Sequence, residues 1–160
     1  MLGEWFTVRI VDIIKSIFNI QNDDVTLIPL KQGMTNDSFI FSINNERYII
    51  RVPGVNTEKI INRYQEFDVY QAIKGEEFVE PVVYIDREYG YKISKFIENS
   101  HTVNPKDWNE VSACLKRLKE FHNQSHRVEH YFDIFEYINY YESLMPNVSI
   151  YEDYAKTKKI

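Results

Sequence analysis

Gln32-Gly33-Met34-Thr35-Asn36-Asp37-Ser38, Tyr48-Ile49-Ile50-Arg51-Val52-Pro53-Gly54 and Ile61-Asn62-Arg63-Tyr64-Gln65-Glu66 stand in that order in the first half of the chain. The first segment is a turn of small and amide residues that tolerate bent backbone. Gly33 lets the backbone come close to an anion, and Thr35 and Asn36 add side-chain donors beside backbone N–H groups. Such a turn is able to cradle phosphate, although most turns of this composition only reverse the chain. The second segment is a strand in which Arg51 is set among apolar residues, and a charge in mid-strand faces either solvent or a cleft. In the third, helical spacing puts Glu66 between Tyr70 and Ile73, at the edge of an apolar face and not at its polar centre. A carboxylate there wants a cation, and the preceding strand holds one. On pattern alone the plainer reading leaves Arg51 and Glu66 solvated and apart.

Outward from these segments the apolar period changes along the chain. Residues 5–20 carry Ile10, Ile13, Ile14, Ile17 and Phe18 on one helical face, with Arg9, Asp12 and Lys15 on another. The spacing predicts an amphipathic helix laid on the core, with a membrane-surface helix as the alternative. Charges through its middle exclude a spanning segment and a signal peptide. Residues 25–30 read as a strand, with Pro29 marking a sheet edge. Residues 38–43 and 47–52 alternate with period two on either side of Asn44-Asn45-Glu46, a hairpin connection. These three strands make an antiparallel meander. A helix is expected over 57–74, capped by Asn56 or Thr57 and by Gly75, with Ile60, Ile61, Tyr64 and Phe67 on its apolar face. Strands at 82–85 and 91–96 flank the turn Asp86-Arg87-Glu88-Tyr89-Gly90. After a polar connector at 97–104, Pro105-Lys106-Asp107 opens a helix reaching about His122, with the proline in its first turn. Helices at 131–144 and 149–158 follow, broken at Pro146-Asn147. The expected class is α+β. A five-stranded antiparallel sheet with one helix between strands three and four occupies residues 1–97, and 98–160 hold the connector and the start of a helical part.

Composition narrows the partners. Lys plus Arg number 19 against 24 Asp plus Glu among 160 residues, a net charge of −5. With no basic cluster, nucleic acid is not an expected partner. Hydrophobic residues at 44% and aromatics at 15% bury enough area to exclude disorder, and the length suits one compact domain. A single cysteine, Cys114, excludes an intramolecular disulfide and any Cys-rich metal centre, so a reducing, cytoplasmic setting is expected.

Taken in order, the three opening segments resemble the nucleotide-binding half of a kinase-like lobe, and specifically the choline/ethanolamine kinase family with its bacterial choline kinases. The resemblance rests on Arg51-Val52-Pro53-Gly54, on Asn62-Arg63-Tyr64-Gln65-Glu66, and on Leu115-Lys116-Arg117-Leu118-Lys119-Glu120-Phe121-His122, which is similar to a family helix ending in a Leu- or Phe-His pair. It spans roughly residues 25–145. It implies ATP-dependent phosphorylation of choline or a similar amino alcohol, with ATP and Mg2+ as cofactors. It further implies that Gly33, Met34, Thr35 and Asn36 cover the phosphates, that Arg51 contacts them and that Glu66 orients Arg51. By the same analogy Lys95, Phe96 and Ile97 meet adenine.

Transfer in such kinases needs His-Xaa-Asp with an Asn five residues beyond the Asp, and a second acid for magnesium. In His130-Tyr131-Phe132-Asp133 with Asn139 both spacings are wrong, and Phe132, Phe135, Ile138 and Tyr141 around it look like core. No Asp-Xaa-Asp occurs. No catalytic residue and no metal ligand are therefore assigned, and the sequence is expected to be the N-terminal lobe and first helices of a longer enzyme. Such a half exposes apolar area, which makes a homo-oligomer one expected state, with 131–141 as its contact or as ordinary core. Two other readings stand. One is a non-catalytic nucleotide- or partner-binding module. The other is a phosphotransferase of the aminoglycoside type, against which Arg51 speaks, because those enzymes usually keep Lys there. His122 and His126, four apart, share a spacing that suits zinc, but no carboxylate completes a ligand pattern.

Overall fold

A computed structural model describes residues 4–21, 25–30, 35–145 and 153–158, with backbone alone at 4–8 and 155. Five strands form one antiparallel sheet: β1 (Ile28–Pro29), β2 (Asn36–Ile43), β3 (Glu46–Pro53), β4 (Val82–Ile85) and β5 (Lys92–Lys95), in the spatial order β1-β2-β3-β5-β4. Asn44 and Asn45 take φ of 51° and 63° between β2 and β3, the doubly left-handed turn that matches strand twist, and Ile43 then pairs with Glu46. The meander is as expected. β5 then crosses over to pair with β3, which leaves β4 at the far edge. β1 is shorter than the expected 25–30, because Pro29 has no N–H to extend the ladder.

Period-two alternation splits β3 into two faces. Tyr48 and Ile50 point to one side, opposite Phe41, Phe39 and Ile93, and all five are buried together with Ile10 and Ile14 of α1 (Glu4–Phe18). The Phe18 ring meets Tyr48 edge-on at 5.0 Å and Phe41 at 5.9 Å. The leading helix is thus a core element, and its apolar face is spent on the sheet. At about 25 cal/mol per Å² of buried apolar area, this cluster is the main favourable term holding the sheet.

Three expectations change at the helices. The segment 57–74 is not continuous: a single 3-10 turn, Thr57–Lys59, is followed by α2, Arg63–Ala72. Asn56 sits at φ 65° with no side-chain cap bond, whereas Asn62 accepts from Gln65 N at 3.2 Å and starts the helix. The β-branched pair Ile60-Ile61 is a weak helix former, so the better cap wins. Ile60 and Ile61 therefore lie outside the helix, and Tyr64 is exposed. α3, Trp108–Asn123, begins at Asp107, which accepts from Asn109 N at 2.9 Å, so Pro105 precedes the helix. α4, Ile134–Ser143, is capped by Asp133. Phe132 and Phe135, expected as core, are 69% and 64% exposed, and Tyr141 is exposed as well. The chain divides into two units at Val128/Glu129, and among the described residues the second has two short helices and no strand to bury those rings. α5, Tyr154–Thr157, lies within the expected 149–158, whose first four residues fall outside the described ones. Among the described residues no helix is long and apolar enough to cross a membrane.

Gly90, in the β4–β5 turn at φ 72°, lies against the stem of Arg63, and a Cβ there would collide with Arg63 Cδ and come within 2.8 Å of Nε. Gly75 has φ 91° but open space around it. Gly90→Ala is expected to cost about 2–4 kcal/mol and Gly75→Ala about 1 kcal/mol. Denaturant unfolding of the two variants checks this, and the difference between them measures the packing of Arg63.

Candidate functional site

On the other face of the sheet, Arg51 of β3 stands opposite Ser38 on β2 and Lys92 on β5, while Ile49 stands opposite Ile40 and Ser94. This face carries two cations on adjacent strands beside a half-buried apolar strip, Ile40 and Ile49. α2 supplies the counter-charge. Glu66 and Tyr70 are four residues apart and so share the side of the helix turned toward the sheet.

Arg51 Nη2 donates to Glu66 Oε1, and both side chains are about four-fifths buried, at 20% and 18% exposure. The solvated, separate reading of these two residues is therefore overturned: the strand's cation and the helix's carboxylate meet. Glu66 Oε2 takes a second cation, Arg63 Nη1, at 2.9 Å. Lys92, 4% exposed, pairs with Glu80 and donates to the Tyr70 hydroxyl at 2.7 Å. Burial and the adjoining Glu80 push Tyr70 up to about 12, which keeps it a donor to Glu80 at 2.9 Å. Burial pulls Glu80 upward, but Lys92 and then Tyr70 outweigh it, and its carboxyl sits below the usual range. Lys92 is lowered, chiefly by burial, with Glu80 opposing and Arg51 adding to the effect.

Gly33 and Met34 lie outside the described residues. The end of their loop is tied to the site: Gly54 N donates to Thr35 O at 2.9 Å, and Asn36 Nδ2 to Thr35 Oγ1 at 3.0 Å. Among the described residues two buried side-chain atoms lack a hydrogen-bond partner, Asn36 Oδ1 and Arg51 Nε, and both belong to this site. A buried donor without an acceptor is costly, and an anion beside Arg51 supplies one, whereas Asn36 Oδ1 is an acceptor and needs a donor. The guanidinium of Arg51 thus fits a phosphate group. Among the described residues no group of three or more His, Cys, Asp or Glu is placed to hold a metal ion. His122 and His126 do not share a helix, because α3 ends at Asn123 and Ser125 turns left-handed at φ 55°. His126 Nε2 instead lies 3.1 Å from Gln124 Oε1 and 3.4 Å from Glu76 Oε1.

At the end of β5, Lys95 N donates to Pro81 O and Phe96 N to Arg47 O, so both N–H groups are committed within the sheet. Ile97 is 52% exposed, and its carbonyl accepts from Ser100 Oγ. Arg63, Tyr70, Glu80 and Lys92 had no place in the sequence reading of this site. Alternation at Lys92-Ile93-Ser94 sets Lys92 opposite the core face, but its partner Glu80 appears only once β4 is paired with β5.

No family model matches the chain. Protein LicA of Haemophilus influenzae is 30% identical over 123 residues, which is 74% of this chain and 36% of that protein. The crystal structure of choline kinase LicA from Streptococcus pneumoniae aligns with a TM-score of 0.74 at 26% identity, over 94% of this chain and 54% of the other. The fold is choline-kinase-like. The structure of LicA in complex with AMP aligns with a TM-score of 0.68 at 25% identity, over 92% of this chain and 53% of the other. The choline-kinase-like chain therefore spans about a third of the curated relative and about half of the solved ones.

Because the Glu80 carboxyl is lowered on folding, its pairing contributes stability above its ordinary pKa of 4.5 and loses it as pH falls through the lower folded value. Lys92→Met removes the cause. Its unfolding free energy is expected to fall less steeply than wild type between about pH 5 and pH 3. Glu80→Gln, which leaves Lys92 charged and buried, is expected to cost about 2–3 kcal/mol at pH 7, below the range for a fully buried pair because water reaches Glu80. Urea unfolding across pH reads both.

Proposed function

We propose that this chain carries the nucleotide-binding part of an ATP-dependent kinase that phosphorylates choline or a related amino alcohol. The observation that carries the reading is the Arg51–Glu66 pair: a half-satisfied guanidinium, its Nε buried and unpaired, at the end of an apolar strip on the open face of the sheet. In this reading Arg51 binds the ATP phosphates and Glu66 holds its direction. Gly33, Met34, Thr35 and Asn36 close over the phosphates with backbone and side-chain donors. Ile40 and Ile49 give adenine an apolar floor, and Lys95, Phe96 and Ile97 border it at the end of β5, where the Lys95 and Phe96 N–H groups are already paired within the sheet. Magnesium, when bound with ATP, screens phosphate charge; its protein ligands are not assigned to these residues. Similarity to choline kinase LicA, and to LicA in complex with AMP, supports both the nucleotide and the class of acceptor.

A second reading is a module that binds a nucleotide without turnover; these 160 residues themselves carry neither His-Xaa-Asp followed by Asn at the required spacing nor Asp-Xaa-Asp. Choline-dependent ATP consumption separates the two.

Arg51→Ala is expected to weaken ATP binding by about a hundredfold while leaving the fold intact, because Glu66 keeps Arg63 as a partner. Calorimetric titration with ATP, alongside a thermal unfolding curve, makes the test. Unchanged affinity would remove Arg51 from the site.

A further inference from the structure

Arg63 opens α2, where the helix dipole disfavours a cation, and it is only 7% exposed. A charge so placed needs strong compensation, and its contacts supply it. Nη1 donates to Glu66 Oε2 and Nη2 to Thr57 Oγ1, both at 2.9 Å. Thr57 Oγ1 passes the connection on by donating to Gly54 O at 2.8 Å, and Gly54 N donates to Thr35 O at 2.9 Å. An unbroken line of hydrogen bonds thus runs from the end of the candidate phosphate loop to Glu66.

A free carboxylate facing a guanidinium prefers the side-on, two-bond fork. Arg63 pulls against that arrangement here. It holds Oε2 toward the helix start, Glu66 meets Arg51 end-on through Oε1 and Nη2, and Arg51 Nε is left without a partner. We propose that Arg63, braced by Thr57, is a positioning residue that keeps Arg51 half-paired, so that its remaining donors stay free for an anionic ligand. Resting on the nucleotide reading above, that anion is the phosphate chain of ATP. Without Arg63, Glu66 turns both oxygens on Arg51 and competes with the ligand for the same donors.

Two measurements on the chain test this. The first reads arginine Nε–H groups by 15N-edited NMR without ligand, the Arg51 signal being assigned by its loss in Arg51→Lys. In Arg63→Gln the Arg51 signal is expected to move to the position of a carboxylate-bonded Nε–H. Thr57→Val, which keeps the buried charge, shifts it less in the same direction and serves where Arg63→Gln does not fold. An Arg51 signal unmoved in the folded variants overturns the proposal. The second measurement titrates ATP and adenosine. Arg63→Gln is expected to weaken ATP about tenfold and leave adenosine unchanged, with no further loss when added to Glu66→Gln. Equal losses for ATP and adenosine mean general loosening and overturn the proposal. Should the unmodified chain bind neither compound, the nucleotide reading falls, and the Arg51 signal still decides whether Arg63 holds Arg51 half-paired.

Discussion

Glu66 directs one oxygen at β3 and the other at the start of its own helix, and the two guanidiniums it holds, Arg51 and Arg63, depend on it for their burial. Neither cation is free to leave: one grows from the middle of a central strand, the other from a helix start packed under the β4–β5 turn. Together with Lys92 and Glu80 they make a cluster of three cations and two carboxylates, a local excess of one positive charge (3 − 2 = +1) in a chain whose overall charge is −5. Inside a low-dielectric surround such an excess attracts an anion far more strongly than the same charge on the surface.

The sheet allows this because its two faces do different work. Apolar burial is concentrated on the side covered by α1, where Ile10, Ile14, Phe39, Phe41, Tyr48, Ile50 and Ile93 lock together. Burial there carries the stability, so the opposite side of the same strands can hold charges and unpaired donors that would be intolerable in the core. Adjacent residues of β3 show the division: Ile50 is fully buried in the core, and Arg51 turns to the other face.

Much of this was legible in the sequence because short-range signals carry it. Charge spacing gave the buried face of α1, Asn44-Asn45 gave the hairpin, and the order of Arg51 and Glu66 gave the pair at the site's centre. Competition between signals hid other parts. Asn56, Thr57 and Asn62 are all cap residues, and the weak helix formers Ile60-Ile61 tipped the start to Asn62. Aromatic periodicity at 131–141 read as core, yet among the described residues of that unit the rings meet mainly one another, and Phe132, Phe135 and Tyr141 stay exposed. Lys92 and Glu80 were invisible for a third reason: they meet across the β4–β5 pair against Tyr70 of α2, and the crossover that sets β5 beside β3, and Lys92 beside Arg51, is encoded by no local pattern.

That crossover also bears on the order of assembly. The β2–β3 hairpin closes over two residues, so its loop entropy is small and it forms early and locally. Docking β5 on β3 must enclose α2 and the whole excursion from Pro53 to Lys92, a far longer closure that favours late formation. The cations and carboxylates of the site sit on both sides of that junction. A partial opening that releases β4 and β5 therefore dismantles the charge cluster while the hairpin and its α1 cover stay folded, so the site belongs to the less protected level of the native ensemble.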